Sequence, residues 1–94
     1  MYVIRDIFNT KPGKAKELVA KFKQAIPEMQ KQGFNCRVMT DTVSTYWTVI
    51  VEVETGDLSK YFDAPQQRSP EMEEAMKGYM ELVNGGHREI FKVE

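Results

Sequence analysis

The nine residues Tyr46-Trp47-Thr48-Val49-Ile50-Val51-Glu52-Val53-Glu54 alternate without interruption. Trp47, Val49, Val51 and Val53 fall on one side, and Tyr46, Thr48, Ile50, Glu52 and Glu54 on the other, which is the period of a half-buried strand. A slip of one residue would turn the whole valine row to the opposite side, so the register of this strand is strongly specified. Just upstream, Phe34 to Thr40 alternates too, with Phe34, Cys36 and Val38 against Asn35, Arg37 and Met39. The polar stretch Asp41 to Thr45 joins the two runs as a hairpin.

Working outward from the hairpin, Tyr2 to Asn9 reads as a strand with Tyr2, Ile4 and Phe8 on one side and Val3 and Ile7 on the other. Pro12 and Gly13 turn the chain, after which Ala15, Leu18, Val19, Phe22, Ile26 and Met29 recur at helical spacing. Pro27 removes a backbone donor within that pattern, so a kink or break is expected near Gln24 to Ile26, and Gly33 ends the helix. On the other side of the hairpin, Asp57 is placed to cap a short helical turn carrying Leu58, Tyr61 and Phe62, and Ala64 to Arg68 reads as a loop. Ser69 fits an N-cap with Pro70 next and Glu71, Glu73 and Glu74 in the first turn, where negative charge suits the helix dipole. Met72, Ala75, Met76, Tyr79, Met80 and Val83 form the apolar stripe of this second helix. Asn84, Gly85 and Gly86 are expected to stop it, and His87 to Val93 alternates as a last strand.

The order strand, helix, strand, strand, helix, strand is the ferredoxin-like βαββαβ arrangement of an α+β protein. It predicts a four-stranded antiparallel sheet with both helices on one face and the first and third strands in the centre. Ninety-four residues leave room for one domain, spanning 1–94. A formal net charge of −1 argues against a nucleic-acid binder. No apolar run reaches the roughly 18 residues of a membrane span, and Met1 to Asp6 lacks the layout of a signal peptide, so the expected location is cytoplasmic. The lone Cys36 has no partner for an internal disulfide, consistent with a reducing compartment.

The face of the sheet left bare by the helices would carry Val3, Arg5, Ile7, Asn9, Tyr46, Thr48, Ile50 and Glu52. It is too apolar for water alone and too polar for a dry core. Such a face suits a homodimer in which two sheets pack together and charges pair, for instance Arg5 with Glu52 on neighbouring central strands. The alternative is a monomer with a partly wet sheet, which antiparallel sheets allow.

Three stretches carry a family resemblance. Lys11-Pro12-Gly13-Lys14-Ala15-Lys16-Glu17-Leu18, Val51-Glu52-Val53-Glu54-Thr55-Gly56-Asp57-Leu58 and Gly85-Gly86-His87-Arg88-Glu89-Ile90-Phe91 resemble the dimeric α+β barrel superfamily. That group includes antibiotic-biosynthesis-type monooxygenases, haem-degrading monooxygenases and NIPSNAP-like proteins. The resemblance implies a homodimer with a pocket between sheet and helices in each subunit. In the haem-degrading branch that pocket holds an asparagine, a tryptophan and a histidine. The corresponding positions here are Asp6, Val53 and Met76, so haem is not expected and no other cofactor is predicted.

Pocket candidates are Asp6, Phe8, Trp47, Tyr61, Phe62, Met72 and Met76. Asp6 is the odd residue among Tyr2, Ile4 and Phe8; a half-buried carboxylate there can accept a proton from a phenolic or enolic substrate, or simply be ion-paired. Trp47 offers a flat wall for an aromatic ligand, although strand tryptophans more often pack in cores. Met72, Met76 and Met80 give a soft surface that serves equally as a pocket wall or a buried helix face. His87, the only histidine, lacks companions for a metal site. The expected function is binding of a small apolar or aromatic molecule. One alternative is a cofactor-independent monooxygenase with Asp6 as base, and another is a structural or partner-binding dimer without a ligand.

Overall fold

A computed structural model of the chain describes residues 1–64 and 69–94. Strands β1 (Tyr2–Thr10), β2 (Asn35–Thr40), β3 (Thr48–Thr55) and β4 (Val83–Lys92) form one antiparallel sheet in the order β2-β3-β1-β4. Helix α1 (Ala15–Lys31) links β1 to β2. Between β3 and β4 lie α2 (Leu58–Asp63), α3 (Pro70–Met76) and a 3-10 turn at Tyr79–Leu82. The fold is the α+β, ferredoxin-like arrangement expected, with β1 and β3 central.

Register sorts the side chains. Ile4 sits opposite Val53 on β3 and Ile90 on β4, and Cys36 opposite Val53 on β2, so these residues share the face beneath the helices. Ile4, Leu18, Val49 and Val53 are fully buried there. Each such side chain contributes about 1.5–3 kcal/mol through removal of apolar surface from water. Phe22, Phe34, Tyr61 and Leu82 complete this core, and Phe8 packs on Phe22 with ring centroids 5.3 Å apart. Burial pushes the Cys36 thiol above its ordinary range, as befits a small core hydrophobe.

Four expectations are corrected. First, β3 begins at Thr48, so Tyr46 and Trp47 lie outside it, with φ of 67° and 53°. These two left-handed residues break the alternation, and Trp47 points outward, 46% exposed, instead of into the core. The reason is how the hairpin loop is anchored: the Asp41 carboxylate accepts from the Thr48 N–H at 2.9 Å, and the Trp47 carbonyl accepts from the Thr10 N–H at 2.8 Å and its hydroxyl at 3.0 Å. Second, α1 runs unbroken through Pro27. Third, the helix capped by Ser69 stops at Met76, because Gly78 takes φ 79° and the Lys21 ammonium donates to the Lys77 carbonyl at 2.6 Å. Tyr79 continues in the 3-10 turn, and Met80, expected in the apolar stripe, is 70% exposed. Fourth, Asn84, Gly85 and Gly86 do not stop a helix but lie within β4. The caps at Asp57 and Ser69 form as expected, each side chain accepting from backbone N–H groups of the first turn. Of the loop expected at Ala64 to Arg68, Ala64 follows α2 directly and the remainder lies outside the described residues.

Gly86 owes its place to close approach. A Cβ there would collide with the Ile7 carbonyl oxygen, whereas one at Gly85 would meet nothing. Gly86→Ala is expected to cost about 1–3 kcal/mol and Gly85→Ala close to nothing, as read by urea unfolding followed by circular dichroism.

Candidate functional site

Between the helix-side face of the sheet and the helices lies a cavity of about 420 Å³. β1 and β3 supply Phe8 and Val51 to its floor, and α1 supplies Phe22, Ala25 and Met29 to one wall. Phe34, Phe62, Met72, Met76 and Tyr79 close most of the remainder. Asp6, Phe8, Tyr61, Phe62, Met72 and Met76 all line this space; Trp47 does not, because the hairpin loop carries it away.

The wall is mostly apolar, with Gln32 and His87 also lining it, and its ion pair lies at one end. There Asp6 on β1 is the register partner of Arg88 on β4, so the two side chains emerge on the same face. Arg88 Nε donates to Asp6 Oδ1 at 2.5 Å and Nη2 reaches Oδ2 at 3.5 Å. The Tyr61 hydroxyl, brought in by α2, donates to Asp6 Oδ2 at 2.9 Å, and the guanidinium lies 5.2 Å from the Tyr61 ring centroid. α2 is held in position by its Asp57 cap and by edge-to-face packing of Tyr61 on Phe34, with centroids 6.0 Å apart.

The electrostatics follow from this geometry. Burial, then the charge and hydrogen bond of Asp6, push the Tyr61 phenol up to about 12, partly opposed by Arg88. The hydrogen bond to Asp6 holds the Arg88 guanidinium above its ordinary range. At neutral pH the cavity therefore ends in a neutral phenol beside a compensated ion pair. The N–H groups of Arg88 not engaged by Asp6 are available to a ligand acceptor, and lone pairs of Tyr61 and Asp6 to a ligand donor. Asp6 is thus ion-paired as well as cavity-lining. Arg88 escaped the sequence reading, although a carboxylate on the helix-side face demanded a cation and the parity of β4 supplies one.

On the opposite face, Glu52 is only 4% exposed, with Arg5 Nε at 2.8 Å from Oε2 and Arg37 Nη2 at 2.7 Å from Oε1. Burial would raise this carboxyl, but the hydrogen bonds and charges of the two arginines hold it below the usual range. Asn9 and Ile50 also lie on this side. Thr48 is covered by the hairpin loop, and Tyr46 belongs to that loop, so neither contributes to the sheet surface as expected. His87 pairs with Glu89 at 3.1 Å on β4. Among the described residues no cluster of three or more His, Cys, Asp or Glu is placed to hold a metal, and no helix is long and apolar enough to cross a membrane.

No family model matches the chain, and neither does any curated protein. Solved structures do. A NIPSNAP family protein from Agrobacterium tumefaciens superposes with TM-score 0.83 at 12% identity, covering 99% of this chain and 92% of that one. A NIPSNAP domain protein of Burkholderia xenovorans gives TM-score 0.81 at 13% identity, covering 100% and 95%. A candidate antibiotic biosynthesis monooxygenase of Chloroflexus aurantiacus gives 0.78 at 13%, covering 99% and 92%. The resemblance read from the sequence is therefore reproduced in three dimensions. At such identities it establishes the fold and leaves the chemistry to the side chains.

Removal of the Asp6 charge tests the polar end. Asp6→Asn is expected to lower the Tyr61 pKa from about 12 toward 10, visible as earlier tyrosinate absorbance in an alkaline titration. Because the folded value lies above the unfolded one, Tyr61 favours folding fully below pH 10 and loses that contribution as pH rises to about 12. The alkaline fall in stability over that window is expected to be smaller in Tyr61→Phe, measured by denaturant titrations at several pH values.

Proposed function

We propose that this protein is a homodimeric α+β barrel protein that binds a small apolar or aromatic molecule between sheet and helices. The observation that carries the reading is the cavity of about 420 Å³, with aromatic and methionine walls and one polar end built from Asp6, Tyr61 and Arg88. Its size exceeds the roughly 300 Å³ at which small-molecule sites begin, and a few convergent polar groups in an apolar wall are what such sites need for orientation. The charge balance of the Asp6–Arg88 pair favours a neutral ligand with one hydrogen-bonding edge, such as a phenol, a quinol or an enolised ketone. The homodimer is supported by the mixed open face of the sheet, where Arg5, Glu52 and Arg37 interrupt apolar Val3, Ile7 and Ile50.

A second reading rests on Asp6, a carboxylate opening onto an apolar cavity. A cofactor-independent monooxygenase would use it to accept a proton from an electron-rich aromatic. Dioxygen would then convert a ring methylene to a carbonyl with release of water. Oxygen uptake with a quinol and anthrone panel separates the readings: turnover lost in Asp6→Asn supports the enzyme, and no turnover in either protein removes it.

Binding itself is tested by calorimetry and thermal shift over the same panel. A ligand at a hundred times its Kd is expected to add about 2.7 kcal/mol of stability. Met76→Trp, which fills the cavity, is expected to abolish binding without unfolding the protein. If no compound binds the wild type and Met76→Trp is more stable than it, the cavity is not a ligand site and the protein is better read as a structural or partner-binding dimer.

A further inference from the structure

The open face of the sheet carries an ordered row of charge. In the strand register Arg37 on β2 lies opposite Glu52 on β3, Glu52 opposite Arg5 on β1, and Arg5 opposite Glu89 on β4. Read across all four strands, the row is positive, negative, positive, negative. Glu52 is already satisfied within the chain, at 2.8 Å from Arg5 and 2.7 Å from Arg37. The two ends of the row are not buried: the Arg37 side chain is 66% and Glu89 41% exposed. Among the described strand residues, the other charged or titratable groups on this face are Glu54, contacted by the Asn35 amide at 3.4 Å, and His87 beside Glu89. Next to the row runs a largely apolar one, Met39, Ile50, Ile7 and His87, by the same registers.

An alternating row of even length is complementary to its own reversal. Two sheets stacked face to face lie about 10 Å apart, within joint reach of arginine and glutamate side chains. If a two-fold axis runs along the strands, β2 of one copy lies over β4 of the other and the row meets itself reversed. Arg37 then faces the partner's Glu89, and Glu52 faces the partner's Arg5, so every charge meets its opposite. If the axis runs along the row instead, each residue faces its own copy and every charge meets its like. The first arrangement also lays Ile50 over the partner's Ile7.

We propose that the Arg37–Glu52–Arg5–Glu89 row is a self-recognition device whose occupant is a second copy of this chain, and that it selects the two-fold axis parallel to the strands. The proposal rests on the homodimer reading above and specifies its geometry. Like-charge juxtaposition disfavours the competing orientation, which is how charge patterns commonly set specificity.

The test uses Arg37→Glu and Glu89→Arg, each checked for folding by circular dichroism and followed by sedimentation equilibrium and native mass spectrometry. Each variant alone brings like charges together at both ends of its own homodimer, and is expected to dimerise at least about tenfold more weakly than wild type. Mixed together, the two variants restore opposite charge at both ends, and heterodimer in excess of random pairing is expected. If either variant fails to fold, Arg37→Cys and Glu89→Cys carry the test through a short bismaleimide: crosslinked dimer is expected from the mixture and not from either variant alone. Wild-type dimer with both charge variants unaffected and random pairing, or crosslinking of Arg37→Cys to itself, would overturn the row as the recognition device while leaving the homodimer intact. A wild type that sediments as a monomer at micromolar concentration overturns both.

Discussion

The register of β1 between its two neighbours is the constraint on which the rest depends. Arg5 and Asp6 are adjacent in the chain and point to opposite faces. Arg5 meets Glu52 on the open side, and Asp6 meets Arg88 and Tyr61 beneath the helices. Ile4, two residues before Asp6, is fully buried on the same side. A slip of one residue would drive the Arg5 guanidinium into the helix-side core, expel Ile4 and leave Asp6 without its cation. Removing one partner of a part-buried charge pair is costly, so hydrophobic and electrostatic demands converge on a single register.

That convergence explains what could be read beforehand. The order of elements, the central position of β1 and β3, and the sides on which Ile4, Val49, Val51 and Val53 lie all follow from two-residue and helical periods. They are set by burial, and burial is visible in residue type. Trp47 departs from the strand pattern for the opposite reason. Nothing in its type distinguishes a strand residue from a left-handed loop residue, and the decision is made by hydrogen bonds from Thr10 to its carbonyl across 37 residues. The end of α3 was equally hidden, since the stripe of Met76, Tyr79 and Met80 keeps helical spacing past the point where Gly78 turns the chain.

The candidate site was legible in part. Asp6, Tyr61, Phe62 and Met76 could be named because each is an anomaly or a large apolar group near a predicted element. What joins Asp6 to Tyr61 is a tertiary contact 55 residues long, and what joins it to Arg88 is 82 residues long. Such distances are fixed only once strand pairing is known. Arg88 falls within the run His87 to Val93 that reads as the last strand, but alternation alone does not say which of its residues stands opposite Asp6; the β1–β4 register does. Gly85 and Gly86 read as a helix stop, yet they lie within β4, where the close approach of Gly86 to β1 requires a residue without a side chain.

One strand thereby gives the two faces of the sheet different surroundings. The molecule is a slab only 17 Å thick along its shortest axis, so helices can shelter one side and nothing within the described chain shelters the other. Beneath the helices lies the cavity, walled by side chains of α1, α2 and α3. The strands themselves are joined by antiparallel ladders, with one register shift between Asn9 and Thr10 against β4. The polar end of that cavity and the charged row outside are separated by the thickness of the β1 backbone, at the peptide linking Arg5 to Asp6. Each cluster is neutralised mainly within its own face, Asp6 by Arg88 and Glu52 by two arginines. A ligand engaging Arg88 and a second chain engaging Arg37 would therefore act on independent charge networks, sharing the rigidity of the sheet between them.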